Sequence, residues 1–183
     1  MAICIFPGTF NPIHDGHLKM ASFVLEKYGF EKIIFIPAYL PPHKQIDKDL
    51  AVHRYNMVRL AIEDNPYFEI SDIEYSSEGK SYSLITVQKI IEQYCIKGRL
   101  NFIIGTDAFN KIESWYKSDE LKKLVRFIVF PRKGDDMILL EGWDYDLMDM
   151  EFVDVSSTKI RKEGMCSNKV IEGYIKKHGL YKI

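Results

Sequence analysis

Two runs near the N-terminus, Met1 to Phe6 and Lys32 to Pro37, are almost wholly apolar and do not alternate between apolar and polar positions. A strand with one wet face alternates with period two, whereas one covered on both faces has no reason to. Between the runs, Leu18, Ala21, Leu25 and Tyr28 recur at helical spacing. Buried strand, helix and buried strand form a βαβ unit, and its right-handed crossover sets the strands parallel with the helix on one face. Few architectures accept such a unit, because a sheet buried on both faces needs helices on both sides.

The rest of the chain repeats the alternation. A helix is expected from Ala51 to Asp64, with Met57, Leu60 and Ala61 on its core face and Arg54 and Arg59 elsewhere; Asn65-Pro66 ends it. Phe68 to Tyr75 reads as a third strand, Ser76 to Ser83 as a polar connection and Leu84 to Tyr94 as a helix. Leu100 to Gly105 and Arg126 to Pro131 are the fourth and fifth strands, with a short helix over Ser118 to Lys123 between them. An acidic segment runs to Asp149, and Glu151 to Val155 reads as a last short strand. Ser156 should cap a helix containing Thr158 to Lys162, and Asn168 to His178 should form an amphipathic helix ended by Gly179. The expected fold is α/β and Rossmann-like: a doubly wound, mostly parallel sheet with helices on both faces.

At 183 residues the chain suits a single domain over 1–183, its helical part from about 156 packed on the rest. With 25 basic and 26 acidic residues, no excess of charge points to nucleic acid or an anionic membrane as a partner. Any phosphate site must be built locally. Cys4, Cys95 and Cys166 are odd in number and far apart, which argues against a disulfide framework and suits a reducing cytosol. No basic leader precedes an uninterrupted apolar segment, and no stretch reaches the length of a membrane span, so a cytoplasmic protein is expected.

The chemistry concentrates where the first strand ends. Pro7-Gly8 should stop it, and Pro7 and Pro12 deny backbone donors to a continuing ladder. Gly8 admits backbone angles closed to other residues, leaving main-chain N–H groups and the Thr9 hydroxyl for a ligand. With Asp15 as the expected N-cap, His14 and His17 flank the first turn of the helix, where its dipole favours an anion. No third His or Cys stands at a ligand-like spacing from the pair, so no protein-held metal is expected. Glu78-Gly79-Lys80-Ser81 is not a P-loop, because Glu74 stands where that motif needs its first glycine.

Gly8-Thr9-Phe10-Asn11-Pro12 followed by His14-Asp15-Gly16-His17 resembles the first signature of the nucleotidyltransferase superfamily with the HxGH motif. Val155-Ser156-Ser157-Thr158-Lys159-Ile160-Arg161 resembles its second. Within that superfamily the chain resembles the nicotinate mononucleotide adenylyltransferases over essentially its whole length, through Pro41-Pro42-His43-Lys44, through Ser81-Tyr82-Ser83 with Thr86 downstream, and through Trp115-Tyr116. The resemblance implies transfer of the adenylyl group of ATP to nicotinate mononucleotide, with release of pyrophosphate. It makes His14 and His17 catalytic, and assigns Gly8, Thr9, Phe10, His17, Ser156, Ser157 and Arg161 to ATP. Gly105 and Asp107 join that set by their place at the carboxyl end of the fourth strand, where Gly105 lets a base or ribose approach and Asp107 can accept from a ribose hydroxyl; a helix N-cap is the competing role for Asp107. The resemblance assigns Thr9, His43, Lys44, Ser83, Thr86, Trp115 and Tyr116 to the mononucleotide, and Arg132 joins them as a basic residue at the ligand-facing carboxyl end of the fifth strand. Mg2+ would arrive with ATP.

Two departures are visible: Ser83 replaces the usual Thr, and Asn11 stands where an Asp is common. Phosphopantetheine adenylyltransferase, which shares both signatures, and a non-catalytic nucleotide-binding regulator on the same fold are the competing readings. The Pro-Pro-His-Lys and Trp-Tyr elements disfavour the first, and the intact histidines the second. Oligomeric state is not legible, and a homo-oligomer stays open.

Overall fold

The structure is a computed structural model that describes residues 2–76, 79–132, 134, 136, 138, 140–150 and 157–181. Six parallel strands, β1 (Ile3–Gly8), β2 (Lys32–Pro37), β3 (Phe68–Ile70), β4 (Leu100–Gly105), β5 (Val125–Phe130) and β6 (Tyr145–Leu147), stand in the order β3-β2-β1-β4-β5-β6. The helices are α1 (Asp15–Tyr28), α2 (Ala51–Ile62), α3 (Ser83–Tyr94), α4 (Thr106–Phe109), α5 (Ser118–Leu124), α6 (Ser157–Glu163) and α7 (Lys169–His178).

The missing alternation now has its cause. Cys4 and Phe6 of β1, and Ile33 and Phe35 of β2, enter one apolar core together with α1, α2 and α7. Ile3 and Ile5, with Ile34 and Ile36, enter a second core on the opposite face with α3 and α5. Because successive strand side chains point to opposite faces, helices on both faces demand an apolar residue at every position. Fully burying each such side chain stabilises the fold by about 1.5–3 kcal/mol, so the central strands carry much of the apolar driving force.

Several boundaries move. The first strand does not stop at Pro7-Gly8: both residues stay in register with β2, opposite Ile36 and Pro37. Only Cys4 and Ile5 pair with β4, so the missing Pro7 N–H interrupts no ladder there. The third strand ends at Ile70 rather than Tyr75, because Asp72 to Ser76 turn back through main-chain bonds to the Asp72 carbonyl. Strand β6 lies in the acidic segment before Asp149, where no strand is expected from the sequence. It is three residues long with Asp146 at its centre, too short and too charged to give a pattern. The strand expected at Glu151 to Val155 and the cap expected at Ser156 lie outside the described residues.

Two helix readings also change. Arg54, expected away from the core face of α2, is fully buried, while Leu60 and Ala61 are only half-buried. The N-cap of α1 is His14 rather than Asp15. Among the described residues no helix is long and apolar enough to cross a membrane.

The strand order reverses between β1 and β4. Helix α1 after β1 packs on one face of the sheet and Phe109 of α4 after β4 on the other, which leaves a crevice at the carboxyl ends of the strands.

Candidate active site

A cavity of about 990 Å³ fills that crevice, at the upper end of the range for small-molecule sites and roomy enough for more than one drug-sized ligand. Its floor is the end of β1 and the loop after it, from Phe6 to Asn11, with His14 and His17 beside them.

The histidines are locked by the helix start. His14 Nδ1 accepts from the Gly16 N–H at 3.0 Å, and His17 Nδ1 accepts from the His14 N–H at 3.1 Å. This is a capping box with imidazoles in the roles usually taken by Ser and Glu. An acceptor Nδ1 in a neutral ring puts the proton on Nε2. Burial first, then Arg132, brings His14 down to about 4, with Asp15 opposing. Burial, followed by His14, Arg132 and Lys44, pushes half-buried His17 well below the ordinary histidine value. Both rings are therefore neutral near pH 7, and each has one donor, Nε2–H, left for a ligand.

Aromatic contacts set the ring of His17. Phe10 meets it edge-on at 5.1 Å and 79°, and Phe6 at 6.0 Å and 62°. Phe10 sits at φ 49°, a left-handed conformation uncommon without a glycine, and its ring lies over Gly8. A Cβ at Gly8 would stand 2.8 Å from that ring, so glycine is required there for space.

The second signature closes on the first. Ser157 Oγ donates to the Pro12 carbonyl at 2.9 Å, and Arg161 donates to the Asn11 carbonyl at 2.7 Å and to Thr158 Oγ1 at 3.2 Å. The Asn11 side chain is also engaged, its Oδ1 accepting from the Tyr181 hydroxyl at 2.5 Å. Beyond it, Asp15 accepts from Ser167 Oγ and, at 3.3 Å, from Asn168 Nδ2.

Cations gather around Thr9 and Asp107. Lys44 reaches Thr9 Oγ1 at 3.4 Å while staying open to solvent along one side. Desolvation in the cleft lowers its ammonium below the usual lysine value, Asp107 opposes this, and Arg132, Arg161 and Lys111 add to the lowering. Asp107 is in the first turn of α4, paired with Arg132 at 2.6 Å, and does not cap the helix. The Arg132 N–H donates to buried Thr106 Oγ1 at 3.0 Å, tying the ends of β4 and β5 together. A Cβ on Gly105 would stand 2.8 Å from Asp107 Oδ1, so the backbone at the end of β4 is left open.

At the far end, Tyr82 and Tyr116 lie 4.6 Å apart with their planes at 32°, and half-buried Trp115 lies 6.5 Å from Phe102. His43 and Ser83 also line the cavity. Every site residue expected from the sequence and described in the structure lines this one cavity, except Thr86. The Thr86 hydroxyl donates at 2.9 Å to Oε2 of Glu74, which itself lines the cavity. Ser156 lies outside the described residues. Tyr82, Lys111 and the buried Arg54 and Glu74 are absent from the set that the sequence suggests. Tyr82 sits inside a quoted motif and is within reach of such reasoning; the other three are charged residues in unremarkable surroundings.

A six-stranded parallel sheet with a helix N-terminus, two neutral histidines and several cations at its switch point defines a nucleotide-binding α/β protein. The Cytidylyltransferase-like family matches residues 5–163. The nicotinate-nucleotide adenylyltransferase of Bacillus subtilis is 38% identical over 189 residues, covering 98% of this chain and 97% of its own. A Caldicellulosiruptor bescii protein named "Probable nicotinate-nucleotide adenylyltransferase" is 39% identical over 198 residues, covering 100% of both. The Plasmodium falciparum nicotinic acid mononucleotide adenylyltransferase complexed with NaAD shares the fold, with a TM-score of 0.78 at 20% identity over 98% of this chain and 96% of that one.

The chain belongs to the Cytidylyltransferase-like family and, within it, to the nicotinate-nucleotide adenylyltransferases.

Proposed function

We infer that this chain transfers the adenylyl group of ATP to nicotinate mononucleotide, giving nicotinate adenine dinucleotide and pyrophosphate in NAD biosynthesis. The observation that carries the reading is a single cavity bordered by both signatures, by Pro41 to Lys44 and by Tyr82, Trp115 and Tyr116. A phosphate oxygen of the mononucleotide attacks the α-phosphorus of ATP. The bond from that phosphorus to the bridging oxygen breaks, and pyrophosphate leaves with the electron pair. The acceptor is already a nucleophile, so the protein supplies alignment and charge stabilisation.

His17 donates Nε2–H to the oxygens on which charge develops, and His14 does the same beside it. Ser157 and Arg161, with Ser156, hold the ATP phosphates near the N-terminus of α1; Thr9 and Lys44 hold the acceptor phosphate. Gly105 and Asp107 receive the adenosine, and the Tyr82, Trp115 and Tyr116 rings receive the nicotinate. Among the described residues no three His, Cys, Asp or Glu could grip a metal, and Asp107 is paired with Arg132. That donor set fits a Mg2+ that would be carried by ATP phosphates and water and would supply neutralising charge to the pyrophosphate. A cytosolic protein acting as one domain completes the reading. It suits the free thiols of Cys4, Cys95 and Cys166, and the burial of Ile171 and Ile175 of α7 in the core of the sheet.

The test is product analysis. Purified protein with ATP, Mg2+ and nicotinate mononucleotide should yield nicotinate adenine dinucleotide and pyrophosphate in equal amounts, and absence of the dinucleotide would refute the reading.

A further inference from the structure

Below the floor of the cavity is a cation that touches no pocket surface. Arg54 of α2 has 0% of its surface exposed and is the largest of the fully buried side chains. Its guanidinium Nη1 donates to the Thr9 carbonyl at 2.8 Å and to the Ala38 carbonyl at 2.5 Å, and its Nη2 donates to the Tyr39 carbonyl at 3.1 Å. Thr9 follows β1, in the loop that offers its hydroxyl to Lys44; Ala38 and Tyr39 follow β2 and lead into the Pro41 to Lys44 loop. One side chain thus grips, from underneath, both loops that must bring two substrates together. The main chain joins them once nearby, where the Ala38 N–H donates to the Gly8 carbonyl at 2.9 Å.

Burying a cation is costly unless it is paired, yet no carboxylate lies within ion-pair distance of Arg54 among the described residues. Its Nε–H has no partner among them. An apolar residue of similar volume would leave the Thr9, Ala38 and Tyr39 carbonyls without this donor, so Arg54 contributes to stability as well as to loop geometry. What an apolar side chain cannot do is present a planar fork to three carbonyls on two loops. Lysine, with one nitrogen on a flexible stem, cannot hold that geometry either.

We propose that Arg54 is a positioning residue for adenylyl transfer: by bridging the Thr9 carbonyl to those of Ala38 and Tyr39, it fixes the separation of the two substrate-bearing loops. The inference rests on the function proposed above. Because Arg54 touches neither substrate, it acts on the alignment of bound reactants. Misplacing reacting atoms by an ångström costs up to about a hundredfold in rate.

The experiment compares Arg54→Lys and Arg54→Met with wild type in steady-state pyrophosphate release, with thermal unfolding to confirm folded protein. Both variants should lose roughly ten- to a hundredfold in kcat, while KM for ATP and for nicotinate mononucleotide each move less than about threefold. Lysine should not rescue, although it keeps the charge. A folded Arg54→Lys enzyme with kcat within threefold of wild type would overturn the proposal, as would a loss confined to KM. If Arg54→Met does not fold, Arg54→Lys decides alone. The wild-type control separates the two claims: no turnover of nicotinate mononucleotide by wild type refutes the proposed function, whereas wild-type turnover with an unaffected Arg54→Lys enzyme refutes only the role of Arg54.

Discussion

The imidazole rings of His14 and His17 lie 3.8 Å apart, centroid to centroid, and each ring commits its Nδ1 to a backbone N–H of the same helix start. One pair of contacts caps the helix, fixes both tautomers and leaves two Nε2 donors side by side. Stability and chemistry therefore depend on different atoms of the same side chains, and substitution can separate them.

His17→Asn keeps an amide near the position of Nδ1 but loses the donor at Nε2. The variant should unfold within about 1 kcal/mol of wild type, since a capping acceptor is worth about that. Its turnover should fall by at least about a hundredfold, as when one donor to developing charge is removed. His17→Ala should lose both. Near-normal turnover by folded His17→Asn at saturating substrates would take His17 out of the reaction.

The free enzyme should lose stability in mild acid. His14 is brought from 6.5 down to about 4 by burial, so between those values the unfolded chain binds a proton that the folded chain refuses. Stability is then complete above about pH 6.5 and falls as pH drops towards 4. The loss reaches about 3 kcal/mol for this group at the bottom of the window, since each tenfold change in proton affinity is worth about 1.4 kcal/mol. His17 moves in the same direction and adds to it. Melting temperature followed from pH 7 to 4 checks this, and His14→Asn should flatten the slope.

Gly8→Ala should be damaging out of proportion to one methyl group. The new Cβ would stand 2.8 Å from the Phe10 ring, which is itself buried and packed edge-on against His17. Overpacking of this kind costs about 1–3 kcal/mol in stability. Because the strain passes to His17, kcat should fall with it. A variant that melts lower with unchanged kcat would detach Phe10 from the placement of His17.

Lys44 bonds to Thr9 and Arg161 to Asn11, and the two should report on different substrates. Lys44→Ala should raise KM mainly for the mononucleotide, and Arg161→Ala mainly for ATP. The bond from Arg161 to the Asn11 carbonyl adds a smaller loss in kcat through the loop. Steady-state kinetics with each substrate varied in turn decides it; effects on the same substrate would contradict this division of the cavity.

The sheet and the aromatic end of the cavity are legible in the sequence because they rest on patterns: uninterrupted apolar runs for strands buried on both faces, and short motifs at strand ends. Residues that act through backbone carbonyls leave no such trace. Arg54 looks like any other basic residue on a helix of mixed polarity, and only the fold reveals that it faces inward beneath two loops. His14 reads as a flanking residue rather than a cap, since imidazole is not among the common caps and Asp15 beside it is. Strand β6 escapes because a three-residue edge strand carries no period.

A nicotinate ring received at the Tyr82, Trp115 and Tyr116 end, with the histidines stabilising adenylyl transfer, is the arrangement proposed for this cavity. Its most direct test is the kcat/KM for pyrophosphate release from ATP with nicotinate mononucleotide, nicotinamide mononucleotide and phosphopantetheine as acceptors. Backbone N–H groups near Ser83 and Tyr116, each contributing about 1.5–3 kcal/mol to a carboxylate, should favour the acid over the amide on the order of a hundredfold. Phosphopantetheine should give no turnover, and Trp115→Ala should weaken both pyridine acceptors while keeping most of the preference. Equal use of the amide, or a higher kcat/KM with phosphopantetheine, would contradict the account.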